Sequence, residues 1–216
     1  MYSGRPPVAL KVECYGATRP QDGGSANEDA FVIGHGPIKF AALCDGAGHA
    51  EQVARRALKL FQTFFKEAPP ESVLADATWA KWVRLLDSAL LGGPQSTFVG
   101  VAVVGNEVVG ASAGDSRCYV LDADGGCRIV TDSRSKARLG SGKVEPMPIW
   151  VTLRSRDILL LLSDGAWTPL SLYLLKRAVR SVALKHFSEV PQAVLDAAGR
   201  SGRADDMTTV ALRVIR

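Results

Sequence analysis

Apolar runs of strand length in this chain repeatedly begin or end on an acidic residue. Residues 39–44 run straight into Asp45-Gly46-Ala47-Gly48, and residues 158–162 close on Ser163-Asp164-Gly165. Asp205-Asp206 open the run 207–215, Glu28-Asp29 stand before residues 31–33, and Asp115 occupies a tight Gly114-Asp115-Ser116 turn. In antiparallel neighbours the start of one strand and the end of the next share an edge, so several of these carboxylates are expected to converge. Packed like charges repel and need a cation, and an oxygen-rich set without His or Cys suits Mg²⁺ or Mn²⁺. One Asp-Gly pair alone is more often a turn, and Asp124-Gly125 reads as one. Gly46 and Gly165 beside the aspartates can take positive φ, and a Gly46 carbonyl could join a coordination shell.

The intervening periodicities set the fold class. Residues 8–15 alternate as an edge strand, 18–26 read as a loop, and residues from 50 onward change to helical spacing until Pro69-Pro70. A second helix is expected over 72–91. Residues 97–104 and 107–113 form a hairpin about Gly105-Asn106, followed by strands at 117–122 and 127–130. Residues 133–148 read as a loop, 150–153 and 158–162 as strands, 170–186 and 190–198 as helices, and 207–215 as a closing strand. Hairpins with paired helices, rather than βαβ alternation, indicate an α+β layered fold with mostly antiparallel sheets.

Composition narrows the class further. With 216 residues, 47% hydrophobic and 22% charged, the chain is expected to form one globular domain over residues 1–216. Cys14, Cys44, Cys118 and Cys127 make no CxxC pair, which argues against zinc and a disulfide framework. The first residues lack the apolar core of a signal peptide and no run is long enough to span a bilayer, so a cytoplasmic location is expected. A net charge of +4 gives little reason to expect nucleic-acid binding.

The order Asn27-Glu28-Asp29-Ala30, Asp45-Gly46-Ala47-Gly48, Gly114-Asp115-Ser116-Arg117, Ser163-Asp164-Gly165 and Asp205-Asp206-Met207-Thr208 resembles the metal-dependent protein phosphatases of the 2C family. The resemblance implies a four-layer α-β-β-α sandwich, two antiparallel sheets flanked by helix pairs, with a binuclear Mn²⁺ or Mg²⁺ centre at one edge. On that resemblance Asp45 corresponds to the carboxylate bridging both ions, and Gly46 to the residue lending its carbonyl. Asp164 and Asp205 correspond to ligands of one ion, and Glu28 and Asp29 to the acidic pair at the other. Asp115 and Asp164 correspond to ligands of a third, weaker ion. The implied activity is hydrolysis of phosphoserine and phosphothreonine by a metal-activated water, on a phosphoprotein made by a cognate kinase, by a monomer. The cysteine-phosphatase loop Cys-x5-Arg is missing.

Three departures stand out. Where family members place a phosphate-gripping Arg, this chain has Gly24, with Arg19 the nearby substitute. Where many members carry a His, it has Ala47, with His49 close by as a candidate general acid. The flap between Arg117 and Asp164 is reduced to about residues 133–148. Its Arg134, Lys136, Arg138 and Lys143 read as a solvated loop, the alternative being a basic rim for phosphorylated substrate. These departures motivate a rival reading, a binding or regulatory module that keeps the fold with little or no turnover.

Overall fold

The central strands of this protein carry two different apolar rows, and those rows decide the architecture. The computed structural model describes residues 11–21, 26–47, 51–131, 136–201 and 205–215. In chain order the elements are β1 (Lys11–Arg19), β2 (Asp29–Gly34), β3 (Lys39–Ala47), α1 (Glu51–Glu67), α2 (Asp76–Ala89), β4 (Gln95–Ser96), β5 (Phe98–Val104) and β6 (Glu107–Ala113). There follow β7 (Arg117–Leu121), β8 (Cys127–Ile129), β9 (Met147–Thr152), β10 (Ile158–Leu162), α3 (Asp164–Trp167), α4 (Leu172–Ala183), α5 (Val190–Gly199) and β11 (Met207–Ile215).

One sheet has the order β1-β11-β10-β7-β8 and the other β2-β3-β5-β6-β9, with β4 added beside β3. The strand pairs are antiparallel. In β3, Ala41 and Leu43 face the space between the sheets, while Phe40, Ala42 and Cys44 face α1 and α2. In β10, Leu159 and Leu161 enter the central space, while Ile158, Leu160 and Leu162 pack with Leu175 and Val179 of α4 and Val194 of α5. β3 and β10 are therefore buried on both faces, which explains why they read as nearly unbroken apolar runs. The result is the expected α-β-β-α sandwich.

The outer layers follow from helical spacing. α1 buries Val53, Ala54, Ala57, Leu58 and Phe61 on one stripe. Phe61 sits at the middle of a ring cluster with Phe40, Trp79, Trp82 and Phe98, at centroid separations of 5.2–6.0 Å. The buried Trp79 indole is satisfied, donating to the Val73 carbonyl at 2.9 Å. The helix expected over 72–91 divides into a 3₁₀ turn, Pro70–Leu74, and α2, because Ala75 between them is extended. Among the described residues no helix is long and apolar enough to cross a membrane.

The strands that form the site run further than their periodicity indicates. β3 continues through Asp45 and Gly46 to Ala47, because Gly46 and Ala47 pair with Ser96 and Gln95 of β4. β1 includes Thr18 and Arg19, expected in a loop, because Thr208 and Met207 pair with them. Beyond β8, residues 136–146 are irregular but anchored. Leu139 is fully buried and exchanges backbone hydrogen bonds with Ser96 at 3.1 and 2.7 Å. Gly140 and Gly142, both at positive φ, aim their N–H groups at Oδ1 of the buried Asp87, at 2.7 and 3.1 Å. Asp87→Ala strands both donors and is expected to cost ~1–3 kcal/mol in urea unfolding, Asp87→Asn less because its Oδ1 still accepts.

Candidate metal centre

At one end of the sandwich the inward rows change from apolar to polar within a single layer. Period two carries Ala41 and Leu43 of β3 on to Asp45, and Phe31 of β2 back to Asp29. By the same count Val99 leads to Thr97, Cys118 to Ser116, Leu161 to Ser163, Val210 to Thr208, and Cys14 through Gly16 to Thr18. These polar side chains interlock. Thr97 Oγ1 lies 2.7 Å from Ser116 Oγ and accepts from the Asp45 N–H at 3.0 Å. The Asp45 carbonyl accepts from Ser96 Oγ and the Thr97 N–H. Thr18 and Thr208 hydroxyls are 2.7 Å apart, Thr208 N–H donates to Ser163 Oγ, and Asn27 Nδ2 donates to Thr18 Oγ1.

Into this layer β2 and β3 place two carboxylates directly opposite each other, Asp29 against Asp45. Like charges in that register destabilise a sheet. Both are buried, and each keeps one oxygen, Oδ2, without any hydrogen-bond partner. Burial, and then the carboxylate opposite and that of Asp164, push the Asp45 pKa well above the usual range. Burial raises Asp29 too, against hydrogen bonds from Ser163 and Thr208.

Two further carboxylates reach the same end. Asp164 opens α3 directly after β10, and Asp205 precedes β11. Gly165 lets them approach. A Cβ there would lie 2.1 Å from the Asp206 carbonyl oxygen and 3.1 Å from the Asp205 Cβ. Neither Gly46 nor Gly165 takes the left-handed conformation allowed for them, so Gly165 is required for space, not for φ. Asp206 ties in the Glu28 segment, its carboxylate accepting from the N–H groups of Glu28 at 2.6 Å and Gln21 at 2.7 Å. The Glu28 carbonyl in turn accepts from the Gly46 N–H.

The donor set suits a hard divalent cation. It is all oxygen, it holds buried carboxylates at raised pKa, and its orphaned oxygens lack any other partner. Among the described residues no group of three acidic, His or Cys side chains stands ready-closed around one point.

Other expected residues fall differently. Arg19 is bound to Asp196 of α5 and approaches the Leu195 carbonyl. His49, Gly24 and Arg134 lie outside the described residues. The solvated-loop reading fails for Arg138, which pairs with Asp115 at 3.2 Å. The four cysteines are free, and burial pushes the Cys44 and Cys118 thiols far up, so the thiol beside Asp45 is no nucleophile. Ser116, Ser163 and Thr208 stand in the sequence motifs only as neighbours of the acidic residues, and Thr18 and Thr97 in none, although each lies in phase with an apolar row.

Comparison with known proteins agrees with this architecture. The family described as Stage II sporulation protein E (SpoIIE) matches residues 40–215. No curated protein sequence matches the chain. Among solved structures, the catalytic domain of serine threonine protein phosphatase PstP, in complex with two manganese ions, superposes with a TM-score of 0.80 at 22% identity, covering 96% of this chain and 100% of that one. A bacterial serine phosphatase gives a TM-score of 0.84 at 20% identity over 95% of this chain and 98% of that one. Serine/threonine phosphatase Stp1 from Staphylococcus aureus gives 0.82 at 19% identity over 98% of each chain. Sharing their sandwich, and matched over most of its length, the chain belongs to the SpoIIE family, of the phosphatase 2C-like fold.

Proposed function

We propose that this chain is a protein serine/threonine phosphatase that uses two divalent ions, Mn²⁺ or Mg²⁺, to hydrolyse phosphomonoesters. The observation carrying this reading is the opposed, buried pair Asp29 and Asp45, each with an oxygen left unpartnered. The manganese complex of the similarly folded PstP domain supports the choice of ion.

Asp45 and the Gly46 carbonyl would serve both ions, Asp164 and Asp205 would help to hold one, and Glu28 and Asp29 the other. When bound, such ions supply a nucleophilic water at neutral pH and neutralise the phosphoryl oxygens. The chain's own part is placement. The β2–β3 register holds Asp29 and Asp45 face to face, and the Thr97–Ser116 pair fixes the backbone of Asp45. Gly165 brings Asp164 up to Asp205, and Asp206 fastens the strand-entry segment at Glu28. The substrate is a phosphorylated protein, the product of a serine/threonine kinase.

Hydrolysis of an aryl phosphate is expected to rise from background with added Mn²⁺ and to return to background with chelator. Phosphoserine and phosphothreonine peptides are expected to be turned over ahead of phosphotyrosine. Full activity in metal-free buffer would refute the reading. The rival binding module has one observation on its side, the commitment of Arg19 to Asp196 rather than to the carboxylates. It predicts Mn²⁺ binding without turnover of any phosphopeptide.

A further inference from the structure

One side chain of the shortened flap does not behave as a solvated charge. Arg138 Nη2 lies 3.3 and 3.2 Å from the two carboxylate oxygens of Asp115. Both side chains are three-quarters shielded, at 24% and 26% exposure. The placement is built into the fold. Leu139, the next residue, is buried and bonded in both directions to Ser96, and Ser96 stands opposite Gly46, one residue beyond Asp45. Gly140 and Gly142 are held by Asp87. The strand pair that positions Asp45 therefore also positions Arg138.

Asp115 is fixed from its other side. The Trp167 indole N–H donates to the Asp115 carbonyl at 3.0 Å, and the Arg117 guanidinium stacks over the Trp167 ring at 3.4 Å. Burial works against the charge on Arg138, but Asp115, Asp45 and Asp164 outweigh it and raise its pKa above the ordinary arginine value. Arg138 in turn is the cation that eases the charge on Asp45.

One guanidinium nitrogen shared between both oxygens takes one lone pair of each and sits where an ion chelated by that carboxylate would sit. An ion arriving at Asp115 would also meet a fixed positive charge a few ångströms away, and in a partly buried site that repulsion is only weakly screened. We propose that Arg138 is the built-in cation of this centre: it claims Asp115, keeps that carboxylate out of divalent coordination, and so closes the centre at two ions. This rests on the two-ion reading above and departs from the third ion that the family resemblance implies at Asp115 and Asp164.

The test is a count of Mn²⁺ bound at equilibrium, read from the paramagnetic resonance of free Mn²⁺, for wild type, Arg138→Gln, Arg138→Lys, Asp115→Asn and the double variant Arg138→Gln/Asp115→Asn. Circular dichroism melts verify that each is folded. Wild type, Arg138→Lys and Asp115→Asn are expected to bind two equivalents. Arg138→Gln is expected to gain a third, weaker equivalent, which the double variant loses. A third equivalent in wild type that vanishes in Asp115→Asn overturns the inference, and so does an Arg138→Gln protein that stops at two. A wild type that binds no Mn²⁺ overturns the two-ion reading and this inference with it, and is told apart because it appears before any variant is compared.

Discussion

Asp45→Asn is expected to reduce aryl phosphate hydrolysis to background and, at the same time, to make the metal-free protein more stable. The two effects have one cause. Asp45 is buried against Asp29 and Asp164, and one of its oxygens has no partner. Replacing the acid by a neutral amide of the same shape removes the cost of either burying its charge or holding its proton above the unfolded carboxylate value, a gain of ~1–3 kcal/mol. For a chain of this length each kcal/mol moves the melting temperature by about 2–4 °C.

The pH dependence carries the same sign information. Asp29 and Asp45 hold their protons to higher pH in the folded state than in the unfolded one. The folded state thus binds more protons, and stability falls as pH rises from about 4, the unfolded carboxylate value, through the raised folded values. Metal-free wild type is expected to melt lower at pH 8 than at pH 5.5, Mn²⁺ to abolish that slope, and Asp45→Asn to flatten it without metal. An Asp45→Asn protein that melts below metal-free wild type at pH 8 would contradict the account.

Gly165→Ala is expected to damage the centre without touching a carboxylate. The added Cβ meets the Asp206 carbonyl oxygen at 2.1 Å, a backbone atom that cannot rotate away. Either α3 or the start of β11 must retreat, which separates Asp164 from Asp205 and disturbs the Asp206 bond to Glu28. A stability loss of ~1–3 kcal/mol is expected for such overpacking, and a drop of about 10–100-fold in Mn²⁺ affinity for the misplaced ligands. Gly36→Ala is the control, because its Cβ would meet only the Ile38 carbonyl at 3.8 Å. Equal Mn²⁺ affinity for Gly165→Ala and wild type would show that the close approach has no bearing on the centre.

Much of the scaffold is legible in the residues themselves. β10 and β11 have the bounds that the sequence pattern implies. The convergence of Asp29 and Asp45 follows from antiparallel pairing of adjacent runs. Extension of β3 to Ala47 was not legible, since it depends on the two residues of β4, reached across the helix pair. Inclusion of Thr18 and Arg19 in β1 depends on a partner strand at the far end of the chain. The polar layer could have been found by counting in twos beyond each apolar row. Arg138 could not, because its direction is set by Leu139, Ser96 and Asp87, three contacts with no trace in local composition.

The pairing of β1 with β11 joins Lys11 to Ile215 and Arg19 to Met207. It has a bearing on when during synthesis the protein can become competent. β11 is also the neighbour of β10, so until it emerges from the ribosome β1 has no strand to pair with and β10 lacks one edge. Closing so large a loop is slow relative to the local hairpins of the other sheet. The sheet carrying Asp29 and Asp45 can thus be assembled well before Asp164 and Asp205 are brought to it. The centre is therefore completed late, and a nascent chain halted before residue 207 is expected to hold the paired aspartates without the power to hydrolyse anything.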